Sequence, residues 1–430
     1  MQRALHDSGG GHLETPPSEA AMIRKLRTQR DDQQWMLDLA LNMRGRVQNF
    51  ERDSTDLPRG KRARNYRMIT KVWRQDAEHH EALAKRAHAR GAHATAAVHY
   101  DHAVDAYRAA QHQIYYDDNP VKKYLCRKLD EMVDRRSEVA HYPIERVEVP
   151  FDDGKTISCL LHLLPDRRRA PVVIYVPGMD QTKEAFPLVT HNVGLLRGFH
   201  VLAMDGPGQG SSNLKKIRAV GDNYERAGAA VISYLRGRKE IDRRRIAVYG
   251  SSMGSFWSLR LASYDHRIAA LVSAVACFNP NNTIFTQCSP RFKQMFMYMA
   301  GYEDEEKFDR EVAQHMTVRG YLGRIKCPTL LSTGEFDPLC PLEDAIEAFG
   351  ELNSPKEIWV FENQYHQQRS LSNLGGLDNY EYVFDWLRMA MTGKGLSRRH
   401  RRIAYIKENG DGPWGKCEWV PAVKPGQAYF

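Results

Sequence analysis

The sequence Gly-Ser-Ser-Met-Gly at residues 250–254 has the spacing of a serine that is held in a sharp turn and acts as a nucleophile. A largely apolar segment, residues 245–249, leads into this turn, and the helix-favouring residues 256–262 follow it. The two glycines are centred on Ser252 and not on Ser251, and their lack of a side chain lets strand and helix approach closely. The pattern therefore predicts that Ser252 attacks a carbonyl carbon.

Such a serine needs a partner, because its hydroxyl is a weak nucleophile until a histidine, oriented by an acid, removes its proton. In chains with this turn the order is serine, acid, histidine. Asp337 follows the predicted strand 329–332 with Gly-x-x-Asp spacing, and Glu335 is the competing acid in the same segment. Asp337 is the predicted acid, although an aspartate here would also suit as a cap for the helix that begins near Pro341.

The predicted base is a histidine that follows the next strand. His366 lies in the loop after residues 357–361, as the acid–histidine order requires. His400 is the other histidine beyond Asp337, but it lies in a basic segment away from any predicted strand. The sequence therefore predicts a triad of Ser252, Asp337 and His366.

Two backbone N–H groups are expected to stabilise the negative charge that develops on the attacked oxygen. One belongs to Met253, directly after the nucleophile, and the other to Met179, in the loop after the predicted strand 172–176. The Gly-rich segment 203–210 lacks the spacing of a phosphate-binding loop, and we predict a tight turn at the rim of the site.

The composition of the 430-residue chain is that of a globular protein, with 42% hydrophobic and 27% charged residues. No run of about 18 apolar residues and no apolar secretory core occurs, so neither a membrane span nor export is predicted. The seven cysteines are scattered and form no CxxC pair, which indicates reduced thiols and a cytoplasmic location. Nothing in the sequence implies a cofactor.

The net charge of +9 raises the question of nucleic-acid binding. The basic runs are far apart and belong to no zinc-finger, RRM or helix-turn-helix pattern, so we interpret them as solvated surface and a basic tail. His99 and His102 lie in a histidine-rich segment, but no H-E-x-x-H motif accompanies them, and no metal site is predicted. The expected partner is a small-molecule substrate, not nucleic acid or a membrane.

The chain divides into four parts by composition. Residues 1–20 are Gly/Pro/Ser-rich and are predicted to be disordered, and residues 21–142 favour helix. Residues 143–394 alternate short apolar strands with helices, and within them residues 279–325 form an apolar helical excursion. Residues 395–430 are basic and then Gly/Pro-rich, and are expected to form a tail over the surface.

The third part predicts a mostly parallel sheet that is covered by helices on both faces. It opens with a hairpin of residues 144–149 and 156–164, around turn residues 152–154. Further strands are expected at residues 172–176, 200–204, 245–249, 269–276, 329–332 and 357–361. In the helical second part we predict two helices joined near Gly91, the second with an apolar face.

Three stretches of the sequence resemble one family beyond the common turn motif. They are residues 89–96 and 103–109 in the helical part, and Pro-Gly-Met-Asp-Gln-Thr-Lys-Glu at residues 177–184. These stretches are similar to the FrsA-like esterases, which include 2,6-dihydroxypseudooxynicotine hydrolase and polyketide-shortening hydrolases of fungal pigment pathways. The resemblance covers roughly residues 25–390. It implies the α/β-hydrolase fold with an N-terminal all-helical cap domain, a homodimer, and hydrolysis of an ester or of an activated carbon–carbon bond beside a ketone.

Carbon–carbon cleavage raises the question of an auxiliary acid. The resemblance implies one on the segment after strand six, yet residues 278–283 contain no carboxylate. Asp180 and Glu184, near the oxyanion loop, are the candidates to replace it. Two alternatives to a hydrolase remain open from the sequence: an acyltransferase or cyclase that uses the same acyl-serine, and a regulatory binding protein that retains a hydrolase core.

Overall fold

The computed structural model describes residues 68–288, 290–392 and 396–417. The predicted disordered N-terminus, the first part of the helical domain and the last residues of the tail lie outside these ranges. Within them, three helices precede a nine-stranded sheet that carries helices on both faces. The predicted mostly parallel, doubly covered sheet is confirmed.

The described elements alternate along most of the chain. The helices are α1 (Ile69–Ala89), α2 (His93–His112), α3 (Pro120–Val139), α4 (Val193–Leu196), α5 (Gly210–Leu214), α6 (Asn223–Gly237), α7 (Met253–Tyr264), α8 (Pro290–Ala300), α9 (Glu305–Glu311), α10 (Leu342–Glu351) and α11 (Asn379–Thr392). The strands are β1 (Ile144–Pro150), β2 (Thr156–His162), β3 (Ala170–Val176), β4 (His200–Met204), β5 (Ile241–Ser251), β6 (Ala270–Ala274), β7 (Thr329–Gly334), β8 (Lys356–Phe361) and β9 (Arg401–Ile406).

The strands form one sheet in the order β1-β2-β4-β3-β5-β6-β7-β8-β9. β1 and β2 form the predicted antiparallel hairpin, in which Ile144 pairs with His162. β2 also pairs antiparallel with β4, and the remaining pairs are parallel. The carboxyl ends of β3, β5, β7 and β8 therefore meet at one edge of the sheet, where the predicted site residues follow.

Alternate residues of each strand pack on opposite faces, as the two-residue period of a strand requires. On β3, Val172 and Ile174 belong to the buried cluster that includes α6, α7 and α10. Val173 and Tyr175 belong to the other cluster, which includes α4 and the fully buried Trp386 of α11. The sheet is thus apolar on both sides, which is why its strands read as continuous apolar runs in the sequence.

The N-terminal helices have the predicted boundary and the predicted apolar face. α1 and α2 are joined at Gly91, whose φ of 72° favours glycine. The buried face of α2 includes Ala96, Tyr100, Ala103, Val104 and Tyr107. α3 begins after Asn119, whose Oδ1 accepts hydrogen bonds from the N–H groups of Val121 at 2.8 Å and Lys122 at 3.2 Å.

These three helices pack directly on the sheet domain. Leu160 of β2 is part of their apolar cluster. The Asp101 carboxylate of α2 accepts hydrogen bonds from the backbone N–H of Thr190 at 3.1 Å and from its hydroxyl at 2.9 Å. Asp117, in the loop between α2 and α3, pairs with Arg218 at 2.7 Å. The helical group is therefore held to the sheet by apolar packing and by buried carboxylates together.

The prediction of a surface tail is wrong for residues 401–406. They form β9, which pairs parallel to β8 with Ile358 opposite Ile403. Ala404 and Ile406 are fully buried, whereas Arg401 is exposed. The strand begins with two arginines, and such charged residues are typical of an edge strand because they discourage pairing with another chain. That basic start is what concealed the strand in the sequence.

The predicted helical excursion at residues 279–325 is present as α8, α9 and two short 3₁₀ turns, Ala313–His315 and Leu322–Arg324. Met295 and Phe296 of α8 are fully buried and supply its apolar surface. Among the described helices, none combines the length and the apolar character that crossing a bilayer would require.

Candidate active site

Ser252 lies in the turn between β5 and α7 with φ 55° and ψ −127°, a conformation that residues with a side chain seldom adopt. A Cβ at Gly250 would overlap the carbonyl oxygen of Gly254, and a Cβ at Gly254 would overlap that of Val176. Both positions need glycine because β3, β5 and α7 meet there. The turn thereby presents Ser252 at the carboxyl edge of the sheet.

His366 lies within hydrogen-bond distance of both other residues of the predicted triad. Ser252 Oγ is 2.8 Å from His366 Nε2, and His366 Nδ1 is 2.9 Å from Asp337 Oδ2. Asp337 is buried, and its Oδ1 also accepts hydrogen bonds from the N–H groups of Leu339 at 2.9 Å and Cys340 at 3.2 Å. With Nδ1–H directed at the carboxylate, Nε2 is left to accept the serine proton.

The competing residues lie elsewhere. Glu335 Oε2 accepts hydrogen bonds from the N–H of Asn363 and from the hydroxyl of Tyr405, each at 3.0 Å. His400 Nε2 is 2.7 Å from Glu357 Oε1, at the start of β9. The structure therefore brings Asp337 to His366, and it brings neither Glu335 nor His400 to Ser252.

The loop that carries His366 is held by the end of β7. A Cβ at Gly334 would overlap the carbonyl oxygens of residues 364 and 365, so glycine permits this loop to lie against the strand. Further along, the amide group of Gln368 is buried, and its Oε1 accepts a hydrogen bond from Ser332 Oγ of β7 at 2.7 Å. Asn379 Nδ2, at the start of α11, donates to the same hydroxyl at 3.0 Å. These contacts fix the imidazole between acid and serine.

The two predicted oxyanion donors are next to the nucleophile. Met253 is the first residue of α7, so its N–H has no acceptor within the helix. A Cβ built on Gly178 would lie 3.2 Å from the Cβ of Ser252, so the loop after β3 passes against the nucleophile. Met179 follows directly and is buried. The backbone of both segments thus borders the space in front of Ser252 Oγ.

Asp180 lies in this loop, and Arg108 of α2 contacts it. Arg108 donates from a terminal nitrogen to the carbonyl oxygen of Asp180 at 3.1 Å and pairs with Asp105 at 2.6 Å. Asp180 Oδ1 is 3.4 Å from a Cβ built on Gly178. The carboxylate is thus near Ser252, and the N-terminal helices contact the loop after β3 through Arg108.

Glu184 is engaged in a buried ionic cluster. Its Oε1 is 2.6 Å from Lys183 Nζ, and its Oε2 accepts a hydrogen bond from the hydroxyl of Thr182. Lys183 Nζ is also 2.9 Å from Asp205 Oδ2, at the end of β4. Burial opposes ionisation, but the adjacent Lys183 ammonium keeps the pKa of Glu184 below its ordinary value. The cluster holds the loop after β3 to the end of β4.

Two residues near Ser252 are not predicted by any sequence pattern. The buried side chain of Gln209 donates to the carbonyl oxygens of Gly178 at 2.8 Å and Pro177 at 3.1 Å. The Cys277 thiol, whose pKa is raised above its usual value by burial and by the Asp337 carboxylate, lies within hydrogen-bond reach of Ser252. A glutamine in a Gly-rich turn and an isolated cysteine carry no motif, so only the fold reveals them.

The histidines of α1 and α2 contact one another. The ring of His80 stacks on that of His102 with centroids 4.7 Å apart, and its Nδ1 is 3.1 Å from His99 Nδ1. Within the part of the chain that the structure describes, no three His, Cys, Asp or Glu side chains are grouped to hold a metal ion.

Comparison with known proteins shows which proteins the chain resembles. The model of the Prolyl oligopeptidase family matches residues 187–394, a span that includes Ser252, Asp337 and His366. The alpha/beta hydrolase xenA of Xenoacremonium sinensis is 29% identical over 261 residues, which cover 57% of this chain and 59% of that protein. The 2,6-dihydropseudooxynicotine hydrolase of Paenarthrobacter nicotinovorans is 26% identical over 238 residues, which cover 55% and 63% respectively. The chain thus spans about three-fifths of the length of these two curated relatives.

Among solved structures, the crystal structure of the 2,6-dihydroxy-pseudo-oxynicotine hydrolase has the same fold. It superimposes with a TM-score of 0.67 at 24% sequence identity, and the match covers 81% of this chain and 96% of that one. This likeness confirms the predicted α/β-hydrolase fold with a helical N-terminal region. The relatives in sequence are named hydrolases. The chain has the α/β-hydrolase fold, and in sequence it is similar to proteins named hydrolases, among them the 2,6-dihydropseudooxynicotine hydrolase.

Proposed function

We propose that the protein is a serine hydrolase in which Ser252 is the nucleophile, His366 the general base and Asp337 the acid that orients it. The observation that carries the proposal is the pair of short distances, 2.8 Å from Ser252 Oγ to His366 Nε2 and 2.9 Å from His366 Nδ1 to Asp337 Oδ2. Geometry of this kind lets imidazole take the serine proton as the carbonyl carbon is attacked.

The proposed reaction runs through an acyl-enzyme. His366 takes the proton of Ser252 as Oγ bonds to the substrate carbonyl, and the N–H groups of Met253 and Met179 stabilise the oxyanion. The imidazolium then gives its proton to the leaving group as the bond to the carbonyl carbon breaks. Water repeats the sequence on the acyl-serine and releases the acid product.

The proposed substrate is a small ester or a β-ketone. With an ester the leaving atom is oxygen, whereas with a β-ketone it is a carbon, whose carbanion is resonance-stabilised and accepts the proton of His366. Asp180 supports the second reaction as an auxiliary acid, because its carboxylate lies near Gly178 and Ser252. Glu184 is less suited to that role, since its carboxylate is already bonded to Lys183 and Thr182.

The proposed architecture is a helical cap, residues 21–142, over a catalytic domain of residues 143–394. Its support in the described residues is the hydrogen bond from Arg108 of α2 to the carbonyl oxygen of Asp180, beside the nucleophile. A homodimer and a cytoplasmic location complete the proposal. The dimer rests on the family resemblance, and sedimentation equilibrium would test it. The location is supported by all seven cysteines being free thiols.

Labelling with a fluorophosphonate probe tests the catalytic assignment. The wild type should be labelled, Ser252→Ala should not, and Ser251→Ala should retain labelling because the neighbouring hydroxyl has no role as nucleophile. A folded wild type that resists the probe would refute the serine-hydrolase assignment and favour a binding protein with a hydrolase core.

A panel of aryl esters and β-diketones, with products identified by mass spectrometry, tests the substrate class. Ester turnover without cleavage of any β-diketone would rule out the carbon–carbon reaction. Products that carry an added alcohol or amine in place of water would identify an acyltransferase instead.

A further inference from the structure

A buried chain of hydrogen bonds connects α6 to the loop that passes against Ser252. Tyr224 Oη of α6 donates to Gln209 Oε1 at 2.7 Å, and Gly206 N donates to the same oxygen at 3.2 Å. Gln209 Nε2 donates in turn to the carbonyl oxygens of Gly178 at 2.8 Å and Pro177 at 3.1 Å. Both lone pairs and both N–H groups of the glutamine amide are used, so its orientation is fixed.

This series of hydrogen bonds ends at a peptide group next to Ser252. Gly178 lies against Ser252, as the 3.2 Å from a built Cβ to the Cβ of Ser252 indicates. In a planar trans peptide the C=O and N–H groups point in opposite directions. The carbonyl oxygen of Gly178 also accepts a hydrogen bond from the N–H of Gln181 at 3.1 Å. Gln209, with the shorter contact, and Gln181 therefore together set the direction of the N–H of Met179, which points away from Gln209.

We propose that Gln209, itself held by Tyr224, is a positioning residue that orients the Gly178–Met179 peptide as part of the oxyanion hole. The inference rests on the proposed function, because it assigns to Gln209 an effect on the transition state of that reaction. Gln209 also keeps the carbonyl oxygens of Pro177 and Gly178 directed away from the forming oxyanion, which their partial negative charge would destabilise.

The same loop has a second anchor that does not involve Gln209. Lys183 N and Lys183 Nζ donate to the Asp205 carboxylate at 2.8 Å and 2.9 Å, and Ser211 N donates to it at 2.8 Å. Tyr224 is also packed independently, with its ring stacked on Trp257 at a centroid distance of 4.3 Å. Loss of the glutamine amide is therefore expected to leave the loops folded and to change the direction of one peptide group.

Gln209→Glu is the sharpest test, because it keeps the side-chain volume and the oxygen that accepts from Tyr224. The second carboxyl oxygen donates to Gly178 only when the acid is protonated. On an aryl ester that the wild type hydrolyses, kcat should fall about tenfold or more at pH 8 with KM unchanged, less than the loss of a whole oxyanion donor. The ratio of variant to wild-type kcat should then rise as the pH is lowered.

That rescue at low pH is the result that a purely structural role would not give. The loss of activity by protonation of His366 is common to both enzymes and cancels in the ratio. A carboxylate near His366 would stabilise the imidazolium and lower the ratio in acid, which is the opposite direction. Tyr224→Phe is the matched variant: it removes one donor to Gln209 Oε1 and keeps the stacking, so kcat should fall about twofold to fivefold, since one neutral hydrogen bond is lost.

Three outcomes overturn the inference. One is a folded Gln209→Glu enzyme with wild-type kcat at pH 8. Another is a reduced kcat whose ratio to wild type does not change with pH. If Gln209→Glu does not fold, an unchanged kcat in folded Tyr224→Phe overturns it. Ser252→Ala in the same assay separates this from failure of the proposed function: if wild-type turnover does not depend on Ser252, the proposed function itself fails, and the inference fails with it.

Discussion

Single residues around Ser252 hold the backbone in conformations that most side chains avoid. Ser252 at φ 55° and Val275 at φ 52° both lie in the left-handed region, at a cost of about 1–3 kcal/mol each. Ser252 N donates to the carbonyl oxygen of Ala274 at 3.1 Å, so the two strained segments are in direct contact. Since the surrounding sheet fixes this geometry, small steric changes here are expected to affect catalysis more than folding.

Gly178→Ala tests that expectation. The added Cβ would lie 3.2 Å from the Cβ of Ser252 and 3.3 Å from the carbonyl oxygen of Ser251, closer than ordinary contact. The serine must shift by a few tenths of an ångström, so kcat for an aryl ester should fall about tenfold while the thermal midpoint changes little. Gly350→Ala, where no atom lies within 4 Å of the new Cβ, is the control and should keep full activity. Equal activities of the two variants would contradict the prediction.

Single substitutions also test which acid, Asp337 or Glu335, orients His366. Asp337→Asn removes the carboxylate that accepts from His366 Nδ1 and leaves the imidazole in the wrong tautomer, so kcat should fall by about 10⁴-fold. Glu335→Gln should lose less than threefold, because Glu335 bonds to Asn363 and Tyr405 and not to His366. Steady-state hydrolysis of one aryl ester compares the two. A larger loss in Glu335→Gln would reverse the assignment of the acid.

At the scale of elements, the loop after β3 is tied to the end of β4 by a buried ion pair. Asp205→Asn would leave the Lys183 ammonium, which is almost fully buried, with Glu184 as its remaining anionic partner among the described contacts. Because Glu184 still compensates the ammonium, the expected cost is that of losing hydrogen bonds to a charged group, about 1.5–3 kcal/mol. Urea denaturation should show a loss of this size. Asp166→Asn, which breaks the exposed pair with Arg168 at 3.0 Å, should show no measurable change.

Elements with strong local patterns could be predicted from the sequence, and those that depend on pairing could not. The hairpin, the central strands and the turn at Ser252 have apolar runs bounded by Gly or Asp, and they occur where predicted. β9 begins Arg401-Arg402 and becomes a strand because β8 offers it an open edge. That partner lies 40 residues or more away in the sequence from β9, and the local pattern does not reveal it.

In the candidate site, too, some residues could be predicted from the sequence and others could not. That Ser252, His366 and Asp337 lie together was predictable, because chain order and strand ends constrain their positions. Gln209 was not, since its role depends on a turn that brings its amide to the carbonyl oxygen of Gly178. The position of Glu184 in the sequence makes it a candidate auxiliary acid, but in the structure it belongs to an ionic cluster with its neighbour Lys183 and the distant Asp205. The residues around a motif in the sequence do not show which oppositely charged side chain a buried carboxylate will pair with in the fold.

At the scale of the whole molecule, the half-buried His112 and the fully buried His162 make the fold sensitive to acid. Burial, together with Lys122, Arg108 and Arg291, holds the pKa of His112 well below its usual value. Burial, with Arg136, does the same to the pKa of His162. In the unfolded chain both titrate near 6.5. Below that pH the unfolded chain binds protons that the folded one does not, so stability that is present above pH 6.5 is lost as the pH falls.

His162→Phe should reduce this loss. The free energy of unfolding of the wild type should fall between pH 7.5 and pH 5.5, and the variant should lose about 1.4 kcal/mol less over the same interval, the contribution of one suppressed histidine. Urea denaturation at the two pH values measures the difference, whatever the absolute stability of the variant. His93→Gln, at an exposed position, should keep the wild-type slope. Identical slopes for wild type and His162→Phe would contradict the prediction.

β1 and β9 lie at opposite edges of the sheet, eight inter-strand spacings apart. At about 4.8 Å for each spacing, their separation is roughly 38 Å along the sheet. A short linker cannot join two points so far apart, so a circular permutant of this domain would need a connection that spans its full width. The same separation suits energy transfer between two fluorophores, one on each outer strand, which would report whether the edges move together when a substrate enters.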